Sequence, residues 1–223
     1  GYKSVSEGKK SFKIGVILLK RYIGEKECFY WYMYQNVVMK ATSKDCFTLF
    51  EILDYESEQK KILPKFISEH KVDGVLIIGL LKEDYLDMLA DSIDVPFVCL
   101  DFYDSRQKCD AVISDSFYGM YKLTDYLFEI GHRKIAYVGT LHYSKSITDR
   151  YLGYSKALLE HGQVVRQDWI IEDRGADDGQ RGENFEVEFP QDMPSAFVCN
   201  CDETAGILSI QLNKKGYRGP EAI

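Results

Sequence analysis

Runs that are apolar at every position alternate along this chain with longer stretches in which apolar residues recur at helical spacing. Few folds accept that pattern. A strand with one wet face alternates apolar and polar residues. A strand with no polar face needs cover on both sides, which parallel sheets obtain from the helices of their own crossovers. The runs in the first half are Phe12 to Leu19, centred on Ile14-Gly15-Val16-Ile17-Leu18, then Phe47 to Leu53, Val72 to Gly79 and Pro96 to Asp101. Between them, Met33, Val37 and Ala41, with Tyr30 ahead, mark one helix. Ser57 to His70 marks a second, interrupted or kinked near Pro64. Leu86, Leu89, Ala90 and Ile93 mark a third.

The rhythm repeats in the second half. Ala111 to Ile113 is a short strand, and Met120, Leu123, Leu127 and Ile130 mark a helix stopped by Gly131. Ile135 to Val138 is a strand, Ser146 to His161 a helix stopped by Gly162, Ala196 to Cys199 a strand, and Asp202 to Lys214 a helix ending before Gly216. Glu172 to Asp192 is polar with several glycines and reads as a loop or irregular hairpin. The predicted class is therefore α/β: two Rossmann-like lobes in series, each a parallel sheet flanked by helices. The join is placed near Gly131 and His132, giving lobes over residues 12–131 and 132–223, with 1–11 a linker or a cloning remnant.

At 223 residues the chain can bury a sizeable core. Its net charge of −7, with no long run of Lys and Arg, opposes a grip on phosphate backbones by this segment alone. The polar start, Gly1 to Lys10, reads as neither a secretory leader nor a membrane span. Of the 6 cysteines, Cys28, Cys46, Cys99, Cys109, Cys199 and Cys201, two (Cys99 and Cys199) fall inside apolar runs. Buried free thiols suit a reducing compartment, so a cytoplasmic protein without membrane contact is expected.

No Gly-x-Gly-x-x-Gly follows a strand, and there is no P-loop, no His-Glu-x-x-His and no Gly-x-Ser-x-Gly elbow. The 4 histidines, His70, His132, His142 and His161, have no metal-ligand spacing and read as surface or capping residues. Cys199 and Cys201 lie on one face of a strand, but without another Cys or His nearby a strand end running into a turn fits better than a metal site. No cofactor is expected.

In open parallel sheets, ligands sit where strands end and helices begin. Phe29-Tyr30-Trp31-Tyr32 follows the first strand, and four consecutive aromatics cannot all face one core. Phe29, Tyr30 and Trp31 are candidates to stack on a sugar, Trp31 being equally suited to the core; Tyr32 is expected in the core. Tyr103 follows the strand that ends at Leu100. Asp115, directly before a helix, suits both capping and hydrogen bonds to ligand hydroxyls. Ser146 and Asp149 resemble a capping box, and Ser146 shares a helix face with Arg150. Arg150 then lies near a helix N-terminus, where the dipole disfavours a cation. A salt bridge to Asp149 would compensate, and so would a polar ligand, which suits the guanidinium fork better. Asp202, at the start of the last helix, completes the set.

Taken in order, several segments resemble the LacI/GalR family of transcription regulators. They are Ile14-Gly15-Val16-Ile17, Val72-Asp73-Gly74-Val75-Leu76-Ile77, Val95-Pro96-Phe97-Val98, Asp115 with Gly119, Gly131-His132-Arg133-Lys134-Ile135-Ala136-Tyr137-Val138-Gly139, Arg150-Tyr151-Leu152-Gly153-Tyr154, Ala196-Phe197-Val198-Cys199 with Asp202-Glu203-Thr204-Ala205, and Gly216-Tyr217-Arg218-Gly219-Pro220-Glu221. The resemblance implies a periplasmic-binding-protein-like fold of type I with an effector in the inter-lobe cleft. It also implies a homodimer and control of operator DNA through a headpiece that these residues do not include. In the family, effector contacts come from the positions of Phe29, Tyr30, Asp115, Ser146 and Arg150. Cys201 departs from the family's usual Asn. The family also continues past the position of Ile223, so the C-terminal lobe is expected to be incomplete.

The expected function is thus effector sensing for a repressor, with a sugar as the ligand class and no enzymatic activity. A solute-binding protein of a sugar transporter would share the fold. A sugar-processing enzyme would need a catalytic carboxylate motif, and none is recognisable.

Overall fold

The computed structural model describes residues 11–23, 29–104, 106, 109–175 and 186–217. The chain divides into two compact units, Gly1–Ile113 and Ser114–Ile223.

Unit 1 is built on a parallel sheet of order β2-β1-β3-β4-β5, with β1 at Lys13–Leu19, β2 at Phe47–Leu53, β3 at Gly74–Ile78, β4 at Phe97–Leu100 and β5 at Asp110–Val112. The unbroken apolar run of β1 is explained by cover on both faces. Val16 and Leu18 pack with Trp31, Tyr34 and Val37 of α1 (Phe29–Thr42). Ile17 and Leu19 pack in a separate cluster with Phe66, Tyr85, Leu86 and Leu89. Gly15 lies on that second side, where an added Cβ would come within 2.3 Å of the Phe66 ring, so its lack of a side chain admits the phenyl group.

The predicted helix over Ser57 to His70 is in fact two, α2 (Tyr55–Gln59) and α3 (Lys65–Ser68). Pro64 is the N-cap of α3 rather than a kink inside one helix. It has no N–H to give and its ring excludes the carbonyl a turn behind. Glu51 of β2 accepts from the Lys65 amide at 2.9 Å, satisfying one of the free donors of the new helix start. Helix α4 (Glu83–Ser92) completes the unit.

Among the described residues, unit 2 has a three-stranded parallel sheet of order β7-β6-β8, formed by β6 (Ile135–Val138), β7 (Ile170–Ile171) and β8 (Ala196–Cys199). Its helices are α5 (Ser116–Glu129), α6 (Lys145–Glu160) and α7 (Asp202–Lys214). Gly153 of α6 lies so close to α5 that an added Cβ would sit 2.1 Å from the Phe117 carbonyl oxygen. That packing carries α5 into unit 2, and the division falls after Ile113, not at the expected join near Gly131 and His132. Gly131 instead ends α5 with φ +102°, a left-handed conformation that glycine adopts without strain. Two fully buried tyrosines pin α6 to its surroundings: Tyr154 donates to the Ile135 carbonyl and Tyr137 to the Ile147 carbonyl, each at 2.8 Å.

Candidate functional site

In unit 1 the carboxyl ends of β1, β3 and β4 carry an aromatic shelf. The chain leaves β1 through a single tight turn, Lys20–Tyr22. The Tyr22 ring rests on Gly79, whose φ of +87° and missing Cβ leave it room. Tyr30 packs on Tyr22 with ring centroids 4.5 Å apart, and Phe29 meets the edge of Tyr30 at 5.3 Å. The Tyr30 hydroxyl donates to Asp101 at 2.9 Å. Asp101 sits just past β4 in a left-handed conformation, φ +66°. Phe29 is exposed and Tyr103 half-buried. Trp31 goes to the other alternative: its ring packs on Tyr34 and Phe50, in the layer between α1 and the sheet. Tyr32, expected in the core, is exposed, because its place on α1 faces away from the sheet that Trp31 and Tyr34 cover.

Beside the shelf, Glu58 is a buried carboxylate that accepts from Arg21 at 2.6 Å and from the Lys82 amide at 2.8 Å. Arg21 also donates to the Leu80 carbonyl, so one ion pair ties together the ends of β1 and β3 and helix α2. A hollow of about 220 Å³ next to it is lined by Lys20, Arg21, Leu53 and Tyr55.

In unit 2, Asp115 is exposed and caps α5, accepting from the Tyr118 amide at 2.9 Å. The cap of α6 is Ser144, which accepts from the Ile147 amide at 3.2 Å; the capping box expected from Ser146 and Asp149 does not form. The helix starts one residue earlier than expected and puts Ser146 inside its first turn, where its hydroxyl lies 3.1 Å from that of Ser144.

Arg150 is half-buried, and its guanidinium has no hydrogen bond or ion pair among the described residues. The salt bridge to Asp149 does not form, although each feels the other's charge. Burial raises the Asp149 carboxyl above its ordinary pKa, Arg150 opposes the shift, and the nearby charge of Asp115 adds to it. Burial likewise holds the Tyr137 phenol well above its usual range, against the pull of Arg150. Asp115, Asp149, Arg150 and Tyr137 are therefore electrostatic neighbours, and a five-donor fork is held among them with its donors uncommitted.

Asp202 is exposed at the start of α7. Behind it lies a buried polar network that the sequence reading missed. Asp173, just past β7, is fully buried and accepts from the Thr140 amide at 3.0 Å, from Thr204 at 2.7 Å and from Arg174 at 2.7 Å. The Thr140 hydroxyl donates to the Arg174 carbonyl at 2.8 Å and accepts the amides of Asp173 and Arg174. The Arg174 guanidinium lies 5.4 Å from the Tyr143 ring centre. Each member stands within a few residues past a strand end of one sheet, which is the signal that could have found it. Cys201 contacts Thr204 at 3.2 Å, and no cluster of metal-ligating side chains occurs among the described residues. No described helix is long and apolar enough to cross a membrane.

Residues 11–223 match the family model of periplasmic binding proteins and the sugar binding domain of the LacI family. The chain belongs to the LacI/GalR family. As a LacI/GalR domain it is 30% identical over 154 residues to the HTH-type transcriptional repressor PurR of Glaesserella parasuis, covering 69% of this chain and 45% of that protein. It is 30% identical over 170 residues to the repressor of the same name from Vibrio vulnificus, covering 76% of this chain and 50% of that one. The chain thus spans about half the length of the curated relatives it matches. The fold agrees with the crystal structure of a LacI-family regulatory protein from Chloroflexus aggregans, with a TM-score of 0.75 at 22% identity over 93% of this chain and 74% of that one. It also agrees with transcription regulator CcpA of Lactococcus lactis, with a TM-score of 0.71 at 24% identity over 95% and 76%. The periplasmic-binding-protein-like fold is established by these matches, each of which leaves about a quarter of the neighbour uncovered.

Proposed function

We propose that this LacI/GalR domain is the effector-sensing part of a transcription repressor, and that it binds a small polar molecule, a sugar or sugar derivative, through Arg150, Ser146 and Asp115. The observation that carries this reading is the half-buried Arg150 guanidinium with no bonded partner among the described residues. A cation removed from water without a partner is costly, and a ligand offering hydroxyl or anionic oxygens would repay it. Phe29 and Tyr30 offer flat apolar faces of the kind on which sugar C–H faces pack. Tyr103 and the exposed Asp202 are proposed as further contacts, and Trp31, packed on Phe50, is proposed to back the aromatic shelf. The family description names sugar binding, and one neighbour is described as a putative ribose operon repressor from Burkholderia thailandensis.

In the whole protein, a homodimer carrying an operator-binding headpiece, the ligand would shift the balance between DNA-competent and incompetent states by its differential affinity for them. That the curated relatives above are repressors favours this reading over a transporter's solute-binding protein. Melting temperature in the presence of a panel of sugars and purines tests it, since a ligand specific for the folded state raises the midpoint. Stabilisation by sugars supports the proposal. Stabilisation by purines alone contradicts the ligand class, and turnover of a bound sugar contradicts the regulatory role.

A further inference from the structure

The Cys99 and Cys109 thiols lie with their Sγ atoms 3.1 Å apart. A disulfide bond is about 2.0 Å long, so roughly one ångström separates the contact from the bond. Cys99 sits in the middle of the sheet of unit 1, fully buried on β4 and registered between Ile77 and Ala111. Cys109 immediately precedes β5, an edge strand of that sheet, and is partly exposed. One of the two residues is partly exposed, and the thiol of the other, fully buried one lies in contact with its sulfur. This is the arrangement of an attacking and a resolving cysteine in redox-sensing proteins.

We propose that Cys99 and Cys109 form a reversible thiol–disulfide pair, oxidised by peroxide, that staples the segment carrying Asp101 and Tyr103 to β4. The Cys109 thiolate attacks one peroxide oxygen, forming an S–O bond as the O–O bond breaks, and the departing hydroxide takes up a proton to leave as water. The Cys99 sulfur then attacks the sulfenic sulfur. The S–S bond forms, the S–O bond breaks, and the second oxygen leaves as water with the Cys99 proton. Two thiols and one hydrogen peroxide give one disulfide and two waters, the two electrons passing from sulfur to oxygen. A dithiol reductant reverses the change. The segment so closed already makes two fixed contacts, the Asp101 carboxylate with the Tyr30 hydroxyl and the Asp101 amide with the Val112 carbonyl at 2.9 Å. A bridge at Cys109 would tether its far end. Reduced thiols at rest and a bond formed on oxidation are what a reducing compartment permits.

The test is peroxide treatment of the reduced chain, an alkylating quench and peptide mapping by mass spectrometry. The expected result is a species lighter by two hydrogens, with a peptide joining Cys99 to Cys109 that dithiothreitol separates. In Cys109→Ser, a near-isosteric change at a partly buried residue packed on the core of unit 1, Cys99 should stay unoxidised at the same dose. Three results would overturn the proposal: oxidation of Cys109 to the sulfinic acid without linkage, linkage of either residue to a different cysteine, or both thiols still free once the peroxide is consumed.

Discussion

Gly153 and Phe117 meet so closely that a single methyl group on the glycine would lie 2.1 Å from the Phe117 carbonyl oxygen, with the Tyr121 amide nitrogen at 2.9 Å. The neighbouring atoms are backbone, which cannot swing aside. Gly153→Ala should therefore push α6 off α5 and destabilise unit 2 by about 2 kcal/mol or more, the usual scale of overpacking. Urea denaturation of the two proteins measures it, and an unchanged midpoint would show that the helices are not packed backbone to backbone.

The Tyr154 hydroxyl gives α6 its bond to β6 through the Ile135 carbonyl, in a fully buried site. Tyr154→Phe keeps the ring and leaves that carbonyl without this donor, a loss of about 1–2 kcal/mol. The comparison with Tyr137→Phe, whose hydroxyl serves the Ile147 carbonyl, should give a loss of similar size. Chemical denaturation should show both variants folded and both less stable.

Asp173 accepts from Thr140, Thr204 and Arg174 with none of its surface exposed. Its removal takes the carboxylate from the Arg174 cation and from several donors at once. Asp173→Ala should cost about 3–5 kcal/mol, the range for breaking one half of a buried pair. Asp173→Asn keeps the shape and two acceptor sites and should cost less; equal losses from the two would mean that the retained shape and neutral acceptor contribute nothing there.

Acid should weaken the clasp between α5 and α6. His161 stacks on Phe128 at 4.1 Å and bonds to Asp125 at 2.8 Å. The bond from His161, followed by that from Lys122, holds the Asp125 carboxyl below its ordinary pKa. A group depressed in the folded state stabilises fully above its unfolded value, about 3.9, and its contribution fades as pH falls through the lower folded value. Asp125→Asn should remove that part of the acid-side loss while leaving the rest of the pH profile in place. Carbon NMR titration of the Asp125 carboxyl checks the sign directly, and an ordinary or raised value would refute it.

The strands were legible because burial on both faces writes itself as an unbroken apolar run, as in Val16, Ile17 and Leu18. Helix ends were less so. Ser144 and Ser146 are equally good caps by residue type, and only the packing of Ile147 into the core decides which starts α6. The assignment of α5 to unit 2 depends on Gly153, which the sequence placed on a helix without showing which element packs against it. In the candidate site, Asp115 and Arg150 stood out through their position at helix starts. The polar network around Asp173 joins Thr140 to Thr204 across three strand ends, and no local pattern relates them. The nearness of Cys99 to Cys109 follows from the pairing of β4 with β5, which the sequence implied only as a neighbouring pair of short runs.

Calorimetric titration of a stabilising sugar into the wild-type chain and into Arg150→Ala tests the ligand site most directly. The Arg150 side chain makes no bonded contact with the described residues that the fold would lose, so the unliganded variant should melt like the wild type. Its affinity should fall about 30-fold or more, the cost of removing one side of a buried charged contact. Equal affinity in a variant of unchanged stability would contradict the assignment.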